Sequence, residues 1–199
     1  MGGQVYLIAP DIKNTGIINS PKGDVILAAG HSVQMVDSLN PYIAVTVSAP
    51  ENAALNLGKI IAESGRVGIY GGLIDQKGIV KADSAVVGEN GKIYFKASKG
   101  LTLGKDSVTT ANGATGGEIK LQGGAGTTLV SGTVTAAGRD GRGGEIQVLG
   151  RRVGPTDNAL VDASGAPGGG TVPMGGDYPG RNAAGPKAEA TYIGKHAAI

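Results

Sequence analysis

Seven times along this chain a glycine introduces a short run in which apolar residues recur at every second position. The runs are Gly3-Gln4-Val5-Tyr6-Leu7, Gly23-Asp24-Val25-Ile26-Leu27, Gly65-Arg66-Val67-Gly68-Ile69 and Gly91-Lys92-Ile93-Tyr94-Phe95. They continue as Gly117-Glu118-Ile119-Lys120-Leu121, Gly144-Glu145-Ile146-Gln147-Val148 and Gly170-Thr171-Val172-Pro173-Met174. Alternation with period two predicts strands with one face in a core. The last five glycines, Gly65, Gly91, Gly117, Gly144 and Gly170, lie 26, 26, 27 and 26 residues apart. A repeat of that size predicts stacked supersecondary units, none of which buries its apolar face alone.

A second ladder fills the intervals. It places Ile18, Ile60, Val80, Thr109, Val134 and Val161 in one column. Two residues later, on the same face, follow Ser20, Ala62, Ala82, Ala111, Ala136 and Ala163. A shorter third strand reads Leu101-Thr102-Leu103 and Thr128-Leu129-Val130, with weaker counterparts at Leu73-Ile74 and Val33-Gln34-Met35. No segment carries a sustained helical stripe. The pattern predicts an all-β parallel β-helix, a solenoid with three short strands in each coil of about 26 residues. Roughly eight coils at ~4.8 Å per step would make a rod about 38 Å long.

The period fails in two places. Gly23 and Gly65 are 42 residues apart, and the surplus centres on the proline-fenced strand Asn40–Pro50. This predicts an extrahelical insertion over 37–56, part of a hairpin on the flank of the helix. The second failure is a Gly/Pro-rich surface loop over 175–190, after which Thr191-Tyr192-Ile193 resumes a coil. Departures from a regular scaffold are the usual places for binding. Tyr42, Asp177, Tyr178, Arg181 and Asn182 are therefore the candidate binding surface, with a host receptor or carbohydrate as ligand.

Composition narrows the picture. Glycine supplies 37 of 199 residues without a Gly-X-Y period, which excludes collagen. With no Trp and a single Phe, the core must be narrow and built from small branched side chains. A net charge of +2 without a basic, aromatic-laced patch argues against nucleic acid. The absence of cysteine removes disulfides and thiol chemistry. No apolar run is long enough to span a membrane.

The search for chemistry returns little. Glu63 and Asp83 occupy the same slot one coil apart, a pairing that could serve glycoside chemistry or calcium. With Lys59 and Lys81 nearby, they read as solvated turn residues. Asp157 and Asp162 read the same way, and His31 and His196 sit far apart. Thr127 stands where a calcium-binding nonapeptide needs Asp, and Gly100–Lys105 is one residue too short for a phosphate loop. The expectation is a non-enzyme with no cofactor or metal. A carbohydrate-active β-helix enzyme of the polysaccharide-lyase type is the alternative.

With the repeat laid out, the wording resembles a known family. Leu55–Tyr70, Ala85–Ile93, Thr128–Gly132, Gly169–Val172, Gly175–Tyr178 and Thr191–Gly194 are similar to the large exoproteins of bacterial two-partner secretion, the filamentous-haemagglutinin-like adhesins. The resemblance implies a right-handed parallel β-helix exported to the Gram-negative cell surface through a dedicated outer-membrane transporter. It implies a structural segment, 1–199, of a longer secreted adhesin whose signal peptide is not in this chain. Asn40-Pro41-Tyr42 does not copy the export domain's asparagine-proline motif, so the expectation is shaft beside that domain. Because both ends fall within the ladder, end-to-end self-association is expected as well.

Overall fold

The computed structural model describes residues 2–36, 44–48, 53–156, 158–176 and 187–199. Among them there is no helix, and the strands wind into a parallel β-helix. The first coil holds β1 (Gln4–Ala9), β2 (Ile12–Asn14) and β3 (Ile17–Asn19). The second opens with β4 (Asp24–Ala29), leaves the helix for β5 (Ser32–Val36) and β6 (Ala44–Ser48), and returns as β7 (Ala53–Asn56) and β8 (Lys59–Ile61). In the third and fourth, β9 (Arg66–Gln76) and β11 (Lys92–Leu103) turn a corner unbroken before β10 (Ile79–Lys81) and β12 (Val108–Thr110). The fifth is β13 (Glu118–Gln122), β14 (Thr127–Val130) and β15 (Thr133–Thr135). The sixth is β16 (Glu145–Leu149), β17 (Arg152–Pro155) and β18 (Leu160–Asp162). A seventh turn bridges Thr171 to Glu145 and Met174 to Val148, then adds β19 (Ala190–Thr191) beside β17.

The described residues form seven coils rather than eight, which on the same count of ~4.8 Å per coil shortens the rod to about 34 Å. Three faces result, two of them merged into an 11-stranded sheet because β9 and β11 run through both. The third face is the six-stranded sheet β18-β15-β12-β10-β8-β3, with strands in register at Ile18↔Ile60, Ile60↔Val80, Val80↔Thr109, Thr109↔Val134 and Val134↔Val161. One position beyond each strand, the amides of Ala62, Ala82, Ala111 and Ala136 still bond to the next coil, and these side chains are wholly buried. Ala163, near the open end, is partly buried. On the first face Val25, Val67, Ile93, Ile119 and Ile146 stack inward, with Leu27, Ile69, Phe95, Leu121 and Val148 two residues on. Each such side chain contributes about 1.5–3 kcal/mol of burial.

The glycine at the head of each phrase has a steric cause. The carbonyls of Gly23, Gly65, Gly91, Gly117 and Gly144 each accept the amide that follows the glycine of the next coil. A Cβ on Gly65, Gly117, Gly144 or Gly170 would stand 2.1, 2.3, 2.0 or 1.8 Å from the glycine carbonyl oxygen one coil earlier. At Gly91 the obstacle is the Ala82 carbonyl at 1.5 Å. The column is glycine because backbone passes against backbone.

The surplus in the second coil is an antiparallel hairpin, with Ser32 opposite Ser48 and Val36 opposite Ala44. Val33–Met35 therefore belongs to this hairpin and not to a coil; the strand of that face in the second coil is β7. The expected insertion also ran too far, since Ala53–Asn56 is β7, paired with both β2 and β9. Residues 37–43 and 49–52 lie outside the described residues. With 30–52 set aside the second coil is as short as the first, where Gln4 pairs with Asp24 only 20 residues on. Strand β6 lies against β4 and β9. Accordingly Ile26 and Ala28, on the outward face of β4, are as buried as its inward residues. Tyr70 joins them, and its ring occupies the space a side chain at Gly68 would need.

Candidate functional groove

Beyond the third sheet the backbone ladder runs on through a corner of small and polar residues. The amides of Ser64, Ser84, Gly113 and Gly138 bond to the carbonyls of Asp83, Asn112, Ala137 and Ser164, each in the next coil. Side chains reinforce this corner. Asp83 Oδ1 accepts the Asn112 amide at 2.8 Å, and Asn112 Oδ1 accepts the Ala137 amide at 2.7 Å. Ser64 Oγ donates to Ser84 Oγ at 2.9 Å. Ser64 and Lys22 hold corresponding corner positions with φ of 56° each. Short polar residues favour such turns because they bond the backbone locally.

After Ser84 the chain leaves this corner as an arm, Ala85–Asn90, that reaches back towards the first coil. Glu89 closes the reach through an ion pair with Lys22, Nζ to Oε2 3.4 Å, with both side chains well exposed. A groove of about 850 Å³ lies between arm and corner, lined by Glu63, Asp83, Asn112, Arg139, Ser164 and Val86 among others. It brings Glu63 and Asp83 to one wall, but Asp83 spends an oxygen on the Asn112 amide. Among the described residues no group of three or more acidic or histidine side chains is placed to hold a metal. The arrangement is a surface trough of mixed polar and apolar lining. Of the carboxylates at the groove, Asp83 holds backbone and Glu89 pairs with Lys22.

A second hollow, about 420 Å³, lies along the glycine corner between Lys92, Glu118, Arg142 and Glu145. Tyr94 donates its hydroxyl to Glu118 Oε2 at 2.9 Å, and Lys92 stands 4.0 Å from the same oxygen. Arg66 and Asp24 pair at 2.7 Å, about four-fifths buried. Burial raises the pKa of neighbouring Tyr70 above the ordinary phenol value; Arg66 opposes this and Asp24 adds to it. Residues 177–186 lie outside the described residues; on either side of them the Ala188 amide bonds to the Gly175 carbonyl. There the hydrogen bond from Arg151, 2.8 Å away, lowers the Glu189 carboxyl below its usual range. Tyr42, Asp177, Tyr178, Arg181 and Asn182 lie outside the described residues, as does Asp157. His31 and His196 are exposed and remote from both hollows.

The sequence reading missed one buried polar feature. Asn14, Asn56 and Gln76 stack in the interior of the second face, in the slot that Leu103, Val130 and Pro155 fill in later coils. Aligning β2, β7 and the end of β9 as one column would have found it. That alignment was lost because the hairpin hides β7.

No protein-family model matches the chain, and no curated protein matches it. Among solved structures, the HMW1 secretion domain from Haemophilus influenzae is similar at 29% identity with a TM-score of 0.69. The match covers 99% of this chain and 46% of that one, so the chain spans about half the length of that solved domain. The resemblance to two-partner-secretion exoproteins thus holds in three dimensions as well as in wording. No helix among the described residues is long and apolar enough to cross a membrane.

Proposed function

We propose that this chain is a non-catalytic β-helical segment from the export region of a large, secreted, surface-associated bacterial adhesin. In this reading an outer-membrane transporter of the two-partner type passes it to the cell surface. There it forms the start of the shaft that carries binding modules outward. The observation that carries the proposal is the similarity of nearly the whole chain to a secretion domain. It moves the emphasis from shaft beside an export domain to the export region itself. The fold suits the task, since each coil buries its apolar face on the preceding one and folding can advance step by step.

The test is binding of the purified chain to a detergent-solubilised outer-membrane transporter of the two-partner type from the same organism, with an unrelated outer-membrane barrel as control. Saturable binding to the transporter alone is expected. Equal or absent binding to both would sink the transporter assignment. Attachment to host cells or glycans is the second element of the proposal, with the segments around Tyr42 and 177–182 as contact surface. Beads coated with segment-deleted chain should lose attachment relative to beads coated with the intact chain. End-to-end association, the third element, would appear as concentration-dependent rods in sedimentation.

A further inference from the structure

Strand β7 contradicts its own hydrophobic pattern. It reads Ala53-Ala54-Leu55-Asn56, followed by Leu57. The structure turns Ala54 and Asn56 inward at 1% exposure each, leaving Leu55 half-buried and Leu57 44% exposed. A slip of one residue would reverse the faces, because side chains alternate strictly along a strand. Leucine would then point into the core and Asn56 into water. Burial alone favours the slipped register over the observed one.

What opposes the slip is a continuous chain of amide hydrogen bonds. The Gly16 amide donates to Asn14 Oδ1 at 3.1 Å, and Asn14 Nδ2 donates to Asn56 Oδ1 at 2.8 Å. Asn56 Nδ2 donates to Gln76 Oε1 at 2.7 Å, and Gln76 Nε2 donates to the Gly78 carbonyl at 3.1 Å. The chain links three coils and ends on backbone at both sides. Turning Asn56 outward would strand the buried Asn14 donor and Gln76 acceptor together, and such groups are costly when unpaired. The ladder also stops where it is no longer needed. It spans the coils of unequal length around the hairpin and gives way to Leu103, Val130 and Pro155 where the period becomes regular.

We infer that the Asn14–Asn56–Gln76 ladder is a register lock: it selects the one pairing in which the chain re-joins the helix after the hairpin, against a hydrophobically favoured slip. A buried polar group that fixes register at the expense of apolar packing has precedent in coiled coils.

The chain has no cysteine, so introduced pairs report register cleanly. Ala53 and Leu73 are partners on the outer face in the observed register. In the slipped register Ala54 takes the place of Ala53. With the ladder intact, Ala53→Cys with Leu73→Cys should cross-link at least tenfold more than Ala54→Cys with Leu73→Cys. Replacing Asn14, Asn56 and Gln76 together by Leu should bring the two yields within about threefold. Adding Leu55→Thr and Leu57→Thr to that background should restore the original preference. If the triple variant does not fold, Asn56→Leu alone is read by the same ratio. An unchanged tenfold preference in the ladder-free variant would overturn the inference, as would failure of the threonine pair to restore it.

Discussion

Replacing Thr109 by valine should make this protein more stable. Thr109 sits between Val80 and Val134 in the inward column of the third sheet, with no exposed surface. Its Oγ1 is buried and has no hydrogen-bond partner. A hydroxyl in that position costs about 1–3 kcal/mol, because the water it leaves is not replaced. Valine has the same shape and is as well suited to the pleat, so Thr109→Val removes the cost without opening a cavity. The expected gain is about 1–2 kcal/mol, or roughly 2–8 °C in Tm for a chain of this length. The converse change, Val161→Thr, two coils from Thr109, should lose a similar amount by placing a second unpaired hydroxyl in the column. Urea unfolding followed by far-UV circular dichroism measures both, with the slope unchanged if only native-state stability moves. A Thr109→Val midpoint at or below that of the parent would refute the reasoning. It would mean that Oγ1 is satisfied and the column is not dry.

Three further outcomes follow from the same structure. Asn56→Ala should destabilise by roughly 2–5 kcal/mol, since it orphans the Asn14 amide and the Gln76 carbonyl together; urea midpoints give the value. Gly144→Ala should cost about 3 kcal/mol or more, because its Cβ would lie 2.0 Å from the Gly117 oxygen and backbone must move. The same change at half-buried Gly168, where nothing lies within 4 Å of the added Cβ, should be nearly silent. Tyr70 has a raised pKa in the folded state. Its share of stability is intact below the ordinary phenol pKa of about 10 and is lost as pH rises through the higher folded value. Tyr70→Phe should therefore flatten the alkaline limb above about pH 10 in urea midpoints taken across that range; an identical limb in both proteins would exclude Tyr70 as its source.

The glycine phrase made the architecture legible because its cause is local and repeats: a carbonyl of one coil lies where the next coil's Cβ would be. The Ile18–Val161 column was legible for the same reason, each strand being short, alternating and bracketed by turns. The same logic failed where the period failed. Val33–Met35 alternates as a coil strand does, but pairs with β6 because the hairpin buries Ile26 and Ala28 from outside. Alternation reports that one face is covered, not by what. Asn56 escaped notice because a polar residue between leucines reads as solvent-facing, and only its partners in neighbouring coils reverse that. The groove beside Asp83 was half visible. The shared slot of Glu63 and Asp83 could be read from spacing, whereas the arm that Glu89 ties to Lys22 depends on a contact across 67 residues.

Export tests the central claim most directly. The chain, joined behind a signal peptide and expressed with or without a two-partner-type transporter from the same organism, should reach the medium as a folded β-helix only when the transporter is present. An authentic exoprotein of the same transporter, released in parallel, shows that the pathway is working. Accumulation of this chain in the periplasm while that exoprotein is released would contradict the account.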